Sequence, residues 1–317
     1  MNEFTWVFLI ALILMTGIEL WLSLRQGRHV LAHRDKIPEA FKDEVSLDAH
    51  HKAADYTQAK GKFGRVEGLF GMVLLLAWTL GGGLGMLSDA WQSLALPTSV
   101  TSIIFILSFF IIGSLIELPL SWYKTFVLEQ RFGFNNNTPA LFLADLAKQT
   151  LLMVVIGAPL IWAALWLMDS TGEYWWLYLW AAWIGFAVFM MWAYPAFIAP
   201  LFNKFTPLDD EDLKARVEAL LARCGFKSQG IYVMDGSRRS GHGNAYFTGL
   251  GNNKRIVFFD TLLETLNGDQ IEAVLAHELG HFRRKHVIKN MVVMAILSLV
   301  GLAVLGWASA ESWFYTG

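Results

Sequence analysis

Two histidines four residues apart, His277 and His281, enclose a glutamate, Glu278, in the run His-Glu-Leu-Gly-His. Residues four apart lie on one face of a helix, so both imidazoles can bind a single zinc ion. Zinc lowers the pKa of a bound water towards about 7, and Glu278 lies beside the pair, where it can accept a proton from that water. The residue types and their spacing predict a site for one zinc ion per chain and hydrolytic chemistry.

This spacing has chemical meaning only if the residues lie on a helix. Asp269 and Glu272 have the spacing of a capping box, which predicts that a helix begins just before the histidines. Ala276 and Gly280 are small residues that flank the predicted ligands. The alternative is a pair of surface histidines beside a glutamate that forms a salt bridge. Cys224 is the single cysteine, which excludes an internal disulfide and a thiolate-clustered metal site.

The other histidines are weaker candidates for a ligand. If the helix continues to His286, this side chain lies about 140° round the helix from His281 and about 180° from His277. We therefore interpret His286 as a surface residue or as one that supports the site from outside it. His242 comes shortly before Asn244, and a ligand role for it is the less favoured reading. Four further histidines are interpreted as solvated loop residues: His29, His33, His50 and His51.

Short strands are predicted before the zinc-binding motif. Ile231–Asp235 and Arg255–Asp260 are rich in apolar and β-branched residues, and they flank a polar segment that includes Asn244 and Ala245. An endopeptidase needs an extended edge that holds the peptide through its backbone. Asn244-Ala-Tyr-Phe247 can supply that edge, with the Asn244 amide bonding the peptide backbone. The alternative is a plain turn that contains an asparagine.

The composition predicts that these elements belong to a membrane protein. Of the 317 residues, 55% are hydrophobic and only 16% are charged, against about a quarter in average soluble chains. The net charge of −2 gives no basic excess for binding nucleic acid. A spanning helix needs roughly 20 mostly apolar residues. Six stretches meet this requirement: Phe4–Leu24, Gly68–Leu87, Thr98–Trp122, Gln149–Met168, Tyr174–Asn203, where Pro195 and Pro200 are expected to end the helix, and Asn290–Ala310.

The basic residues predict the orientation in the membrane. All 25 Lys and Arg residues lie in three segments, Arg25–Arg65, Lys124–Lys148 and Lys204–Lys289. The positive-inside rule places these segments in the cytoplasm and the N-terminus outside. The loop 197–289 is the only segment long enough for a folded soluble unit, so we divide the chain into a transmembrane region, 1–196, and a catalytic region, 197–317.

Several ordered motifs together resemble the type I CAAX prenyl protease family. The resemblance covers nearly the whole chain, and it is carried by Glu129–Asn135, Pro200–Leu208, Gly236–Phe247, Lys254–Glu264 and His277–His281. It implies a seven-helix membrane zinc protease that encloses a large chamber with an inward-facing active site. It also implies that His277 and His281 bind zinc, that Glu278 is the general base, and that Asn244 and Ala245 contact the substrate backbone. The implied substrate is a peptide or protein with a prenylated C-terminus.

The sequence departs from the family pattern at the third zinc ligand. The family takes this ligand from a Glu in an E-x-x-x-D pattern well downstream, whereas Glu311 is the only acidic residue after His281. We therefore expect the third ligand and a seventh span beyond Gly317, and we expect the 317 residues alone to be inactive. The predicted fold is an all-α polytopic membrane protein with six spans here and a small zincin-like α/β catalytic segment on the cytoplasmic side.

Other functions are compatible with parts of the sequence. A non-catalytic membrane scaffold could keep the fold without a complete site, and a general quality-control protease could use the same residues on other membrane proteins. A transporter is suggested by Glu19 and Glu117, because acidic residues within a bilayer are costly and mark polar interiors. The short link Leu266–Gln270 and the absence of a C-terminal retrieval signal favour a bacterial inner membrane over an endoplasmic reticulum.

Overall fold

A computed structural model describes residues 3–226, 228–249 and 254–315. The chain divides into two units. The first unit comprises Met1–Gly133, Thr150–Trp162 and Glu311–Gly317, and the second comprises Phe134–Gln149 and Ala163–Ala310. The second unit therefore contains every residue that the sequence places in the zinc site and the substrate edge.

Long apolar helices dominate the first two thirds of the chain. They are α1 Glu3–Ala32, α2 Leu47–Trp78, α3 Gly83–Gln92, α4 Thr98–Tyr123, α5 Pro139–Ser170 and α6 Trp175–Ala193. Short helices and strands follow, and a last long helix comes after them. They are β1 Phe205–Pro207, α7 Glu211–Arg223, β2 Ile231–Met234, β3 Ala245–Thr248, β4 Arg255–Phe259, α8 Asp260–Thr265, α9 Gly268–Arg283 and α10 His286–Ser309.

The long helices confirm that the chain is a multi-pass membrane protein. Five helical stretches of the described residues are long and apolar enough to cross a bilayer, and a bent pair, α2 with α3, makes a sixth if it is counted as one span. Their large apolar side chains are exposed, such as Ile13, Leu151 and Val293. In water such exposure would be unfavourable, whereas lipid chains solvate these groups.

The second predicted span, Gly68–Leu87, is sharply bent in the structure. The chain leaves the helical path between α2 and α3, and the two helix axes differ by 49°. Gly82 takes a left-handed conformation with φ 79°. A Cβ at Gly81 would lie 2.7 Å from the carbonyl oxygen of Ala77. The glycines therefore permit a sharp turn that residues with a Cβ would resist.

The prediction that Pro195 and Pro200 end the fifth span also needs correction. After α6 the backbone passes through a π-helical segment, Tyr194–Ile198, and then an α-helical turn, Ala199–Phe202. Proline lacks an N–H and its ring clashes with the preceding turn of an α-helix. The wider π-helical segment accommodates both effects, so the helical path continues to Phe202.

A small mixed sheet forms the centre of the second unit. Among the described residues it has four strands in the order β1-β2-β4-β3. β2 and β4 are parallel, whereas β1 and β3 run antiparallel to their neighbours. The two strands predicted from the sequence are β2 and β4. β1 escaped prediction because Phe205-Thr-Pro207 is too short to show an alternating pattern and ends in a proline.

The core of the second unit lies between this sheet, α7 and α9. One face of each helix supplies residues at four-residue intervals, Leu213, Val217 and Leu221 from α7 and Ile271, Leu275 and Leu279 from α9. They pack against Ile256 and Phe258 of β4, both with 0% exposure. Burial of this stripe fixes the rotation of α9 about its own axis, so it determines which residues of α9 face outward.

Candidate active site

Helix α9 begins at a different capping box from the predicted one. The Asn267 side chain accepts a hydrogen bond from the Gln270 N–H at 3.0 Å, and the Gln270 side chain accepts one from the Asn267 N–H at 3.0 Å. Asp269 and Glu272 instead bind Arg216 of α7. The predicted pair was wrong because the chain already becomes helical at Gly268, which places both acidic residues inside the helix.

The acidic pair has an electrostatic role in holding α9 against α7. Two hydrogen bonds raise the pKa of the Arg216 guanidinium above its ordinary value. The bond to Asp269 contributes most, and the bond to Glu272 follows. The group stays protonated in any case, so the contact behaves as a permanent ion pair at the surface. It joins the first turn of α9 to α7 on the exposed side of the core.

The buried stripe of α9 leaves the zinc-binding motif facing away from the core. His277 and His281 are exposed, and Glu278 is half-buried. Leu279 lies between Glu278 and His281 in sequence but points in the opposite direction, into the core, where it is 2% exposed. The rigid side of the helix therefore supports a polar side that is open to a ligand.

The two imidazoles converge. Their Nε2 atoms are 3.2 Å apart, and the ring planes are inclined by 71°. Two nitrogen ligands bound about 2.0–2.1 Å from a tetrahedral zinc ion lie about 3.3 Å from each other. The spacing of the two Nε2 atoms therefore fits two positions of such a site. Within the described ranges, no group of three or more His, Cys, Asp or Glu side chains is arranged to hold a metal.

The structure corrects the helical angle that was assumed for His286. This residue begins α10 rather than continuing α9, and its Nδ1 lies 2.9 Å from the Nδ1 of His281. The helical angle of about 140° does not apply, because Lys285 takes a left-handed conformation with φ 53° between the two helices. His286 therefore contacts one of the predicted ligands, which is compatible with the reading of a residue that supports the site from outside it.

The predicted substrate edge is a strand at the border of the sheet. β3 pairs with β4, with Ala245 opposite Phe258, and on its other side the described residues contribute no strand. Ala245 is buried in the core that also contains Leu275 and Leu279 of α9. Among the described residues β3 is therefore an edge strand, and it packs against the helix that carries the two histidines.

Asn244 lies just before this strand and is exposed. Its Oδ1 accepts a hydrogen bond from the Ala245 N–H at 2.8 Å, and its carbonyl oxygen accepts one from the Phe259 N–H at 2.9 Å. Both bonds hold the side chain and backbone of Asn244 at the start of the open edge. The position agrees with a group that could bind a peptide lying along β3.

His242 lies on the loop before this edge. Its ring stacks on Phe134 at a centroid distance of 4.1 Å. Its carbonyl oxygen accepts a hydrogen bond from Thr261 Oγ1 at 3.0 Å. These contacts hold the loop against Phe134 and α8.

A clamp that the sequence did not reveal holds the same loop. Arg239 forms two hydrogen bonds with Asp145 of α5, at 2.7 and 3.1 Å, and a third with the Asn203 side chain at 3.0 Å. Asp145 is buried, at 8% exposure. We call this group the Arg239 clamp. Arg239 lies 94 positions from Asp145 and 36 positions from Asn203 in the sequence, and no local pattern predicts contacts over such separations. The one weak sequence signal for this group is Asp145 itself, a single acidic residue near the start of an apolar span.

A cavity of about 380 Å³ lies on the other face of the sheet. Tyr232, Tyr246 and Val257 line it, since alternate residues of a strand face opposite sides of a sheet. Burial raises the pKa of Tyr246, and the nearby Tyr194 adds to the shift. The cavity is separate from the motif on α9, which packs on the opposite face.

Two family models match consecutive parts of the chain. Residues 26–204 match the one described as CAAX prenyl protease N-terminal, five membrane helices. Residues 207–314 match the one described as peptidase family M48. The second match contains the complete motif of α9 and the open edge of β3.

Individual proteins are similar over most of the chain. CAAX prenyl protease 1 of Saccharomyces cerevisiae is 37% identical over 292 residues, which cover 89% of this chain and 64% of that protein. A CAAX prenyl protease 1 homolog of Caenorhabditis elegans is 32% identical and covers 94% of this chain and 73% of its own length. The crystal structure of S. mikatae Ste24p matches with a TM-score of 0.87 and 33% identity, covering 96% of this chain and 72% of that one. The chain spans less than two thirds of the length of the S. cerevisiae relative.

Proposed function

The chain belongs to the CAAX prenyl protease family of M48 peptidases, and from that premise we propose that it works as a zinc-dependent endopeptidase of the membrane. The observation that carries this proposal is the convergence of two imidazoles, with Nε2 atoms 3.2 Å apart, on a helix packed against an open strand edge. On this proposal a metal site, a neighbouring carboxylate and a peptide-binding edge lie in one unit.

We assign His277 and His281 as two of the three protein ligands of one zinc ion per chain. A zinc ion bound there supplies Lewis-acid activation of a water molecule. Glu278 follows His277 directly and is half-buried, so its carboxylate can accept the proton of the attacking water and then donate it to the leaving amine. The support for this assignment is the nitrogen spacing and the outward face of α9.

The open edge of β3 is proposed to bind the substrate. An extended peptide that pairs with β3 makes backbone hydrogen bonds independent of its side chains, and this holds the scissile amide in one orientation. Asn244 and Ala245, at the start of the strand, are the assigned substrate contacts. The two relatives named above carry the name CAAX prenyl protease 1, so we propose peptides or proteins with prenylated C-termini as the substrate class.

The orientation in the membrane is likewise a proposal. The placement of every Lys and Arg residue in three segments supports an outside N-terminus and a cytoplasmic zinc site. In a Cys224→Ser background, single cysteines at Ser93 and Glu173 should react with an impermeant thiol reagent on intact cells. A cysteine at Glu44 should react only after permeabilisation, and the opposite pattern would reverse the proposed orientation. The bacterial inner membrane stays a prediction, and the relatives named above are eukaryotic.

The division of the chain at residue 197 is proposed on two grounds. The first is the end of the fifth apolar segment, since α6 and the helical turns after it reach Phe202. The second is the boundary of the two family matches, which falls between residues 204 and 207. On this division residues 1–196 supply most of the membrane contacts, and residues 197–317 supply the zinc motif, the edge strand and one further membrane span, α10.

Glu278→Gln tests the proposed mechanism. The substitution leaves both imidazoles in place but removes the proton acceptor, so the full-length protein should keep its zinc and lose at least about 10²-fold in the rate of peptide cleavage. Glu272→Gln is the matched control, because Glu272 lies on the same helix and binds Arg216. Near-normal turnover by Glu278→Gln would refute the assigned base. Absence of both zinc and cleavage in the wild type would instead favour a non-catalytic scaffold.

A further inference from the structure

The junction between α9 and α10 brings a third histidine to the motif. Among the described residues, only Ala95 and Lys285 have a positive φ without being glycine. Lys285 turns the chain by this left-handed conformation and serves as the residue before α10. As a result the His286 ring lies 4.9 Å from the His281 ring, inclined by 77°. A left-handed conformation at a lysine is uncommon and marks a junction that the surrounding structure enforces.

The two nitrogens of His281 have different neighbours. Its Nε2 lies 3.2 Å from the Nε2 of His277, whereas its Nδ1 lies 2.9 Å from the Nδ1 of His286. Nδ1 and Nε2 point away from each other on an imidazole ring. His286 is therefore on the far side of His281 from the place where the two Nε2 atoms converge, so it cannot join them as a ligand of the same ion.

We propose that His286 is a positioning residue for the zinc site, an inference that rests on the function proposed above. A neutral imidazole carries one proton, and the hydrogen bond of one nitrogen decides which nitrogen keeps its lone pair. His286 accepts the Nδ1–H of His281 through its own Nδ1. The Nε2 lone pair of His281 is thereby directed to the metal position beside His277, and the His286 proton resides on its Nε2. Partners of this kind orient ligating histidines and raise their basicity.

The segment between the two histidines is anchored, so the contact is geometrically defined. Phe282 packs against Phe226 at a centroid distance of 4.8 Å, and the Lys254 ammonium lies 4.1 Å from the centre of its ring. The turn is closed by backbone hydrogen bonds from Arg284 to Gly280 and from Lys285 to Phe282, at 3.0 and 2.9 Å. His286 is therefore held against His281 by the same core that fixes α9.

The test is zinc affinity, measured on the purified full-length protein by competition with a chelator. His286→Phe keeps a ring of similar size without an acceptor, and it should weaken zinc binding by about 10–100-fold. His286→Asn keeps an acceptor oxygen and should bind zinc close to the wild-type affinity. His50→Phe is the control for loss of a histidine, because His50 contacts the His33 carbonyl oxygen and lies in the first unit.

The outcomes separate the two proposals. Equal zinc affinity of the wild type and His286→Phe would overturn the positioning role. A loss of zinc affinity in His286→Asn as large as that in His286→Phe would also overturn the positioning role, since the hydrogen bond to His281 would then not account for the loss. Failure of the wild type to bind zinc would refute the proposed function itself. Thermal unfolding of the zinc-free variants shows whether each one folds, and His286→Ala replaces His286→Phe in the comparison if the phenylalanine prevents folding.

Discussion

The membrane helices and the sheet unit contain the same apolar residue types and expose them in opposite ways. Ile256 of β4 is 0% exposed, whereas Ile296 of α10 is 55% exposed. The difference lies in the solvent each residue meets: the sheet region excludes water from its own core, while the long helices present apolar side chains to lipid. Exposure of an isoleucine in this molecule therefore indicates the surrounding medium and not a packing defect.

The polar groups differ between the regions in a corresponding way. A helix satisfies its own backbone hydrogen bonds, which is what a lipid environment demands. The sheet instead ends, among the described residues, in two edge strands, β1 and β3, and the unpaired backbone groups of an edge strand need water or another chain as a partner. The site proposed above accordingly uses this sheet unit, with the histidines on α9 and the substrate edge on β3.

The largest expected effect on stability comes from replacing an isoleucine by alanine in the sheet unit, and the same replacement in a membrane helix tests the comparison. Ile256→Ala removes buried methyl groups from the core and should lower the free energy of unfolding by about 3 kcal/mol. Ile296→Ala should change the free energy of unfolding by about 0.5 kcal/mol or less, because the Ile296 side chain contacts lipid and leaves no cavity in a protein core when it is shortened. Denaturant unfolding in lipid bicelles measures both, and similar losses at the two positions would show that Ile296 packs against protein.

A smaller effect is expected at the Arg239 clamp, where a buried charge lies at the start of a membrane helix. Arg239→Ala leaves the Asp145 carboxylate without its main partner and should cost about 2 kcal/mol of unfolding free energy. Arg238→Ala is the matched control, since Arg238 is exposed and pairs with Asp235 at 3.6 Å. The clamp variant should also raise the KM for peptide cleavage, because Arg239 fixes the loop that leads to Asn244.

Equal stability of Arg239→Ala and Arg238→Ala would contradict a structural role for the clamp. A double variant, Arg239→Ala with Asp145→Ala, should recover part of the loss, since no uncompensated carboxylate remains. That recovery would be missing if the loss came from the Asn203 contact alone.

Periodic apolar patterns and closely spaced motifs were predictable from the sequence. The six apolar stretches, the two inner strands and the helix carrying His277 and His281 all depend on neighbours within a few residues, so the chain order contains the needed information. The family resemblance rests on the same kind of local motif, and the comparisons confirm it.

Features that depend on a single backbone conformation or on distant pairing were not predictable. His286 was placed by assuming that α9 continues, and one left-handed residue, Lys285, invalidated that angle. The capping box was misplaced because two pairs have the required spacing, Asn267 with Gln270 and Asp269 with Glu272. The sequence does not show which pair lies at the start of the helix. The Arg239 clamp joins two segments whose contact is set by tertiary packing, which no spacing rule describes.

The smallest expected effect identifies what the two regions share. Asn267 caps α9 and Ser46 caps α2, and in both helices an exposed polar side chain accepts a hydrogen bond from a backbone N–H of the first turn. Asn267→Ala and Ser46→Ala should each cost about 1 kcal/mol of unfolding free energy, because each leaves a backbone N–H without its acceptor. Asn267→Asp should retain most of the stability, since its carboxylate can accept the same bond. Zinc affinity should stay unchanged in Asn267→Ala, because fraying is confined to the first turn and His277 lies more than two turns further along α9. A marked loss of zinc affinity in Asn267→Ala without loss of stability would mean that the start of α9 positions the imidazoles, and the buried stripe at Leu275 and Leu279 would then be insufficient to hold them.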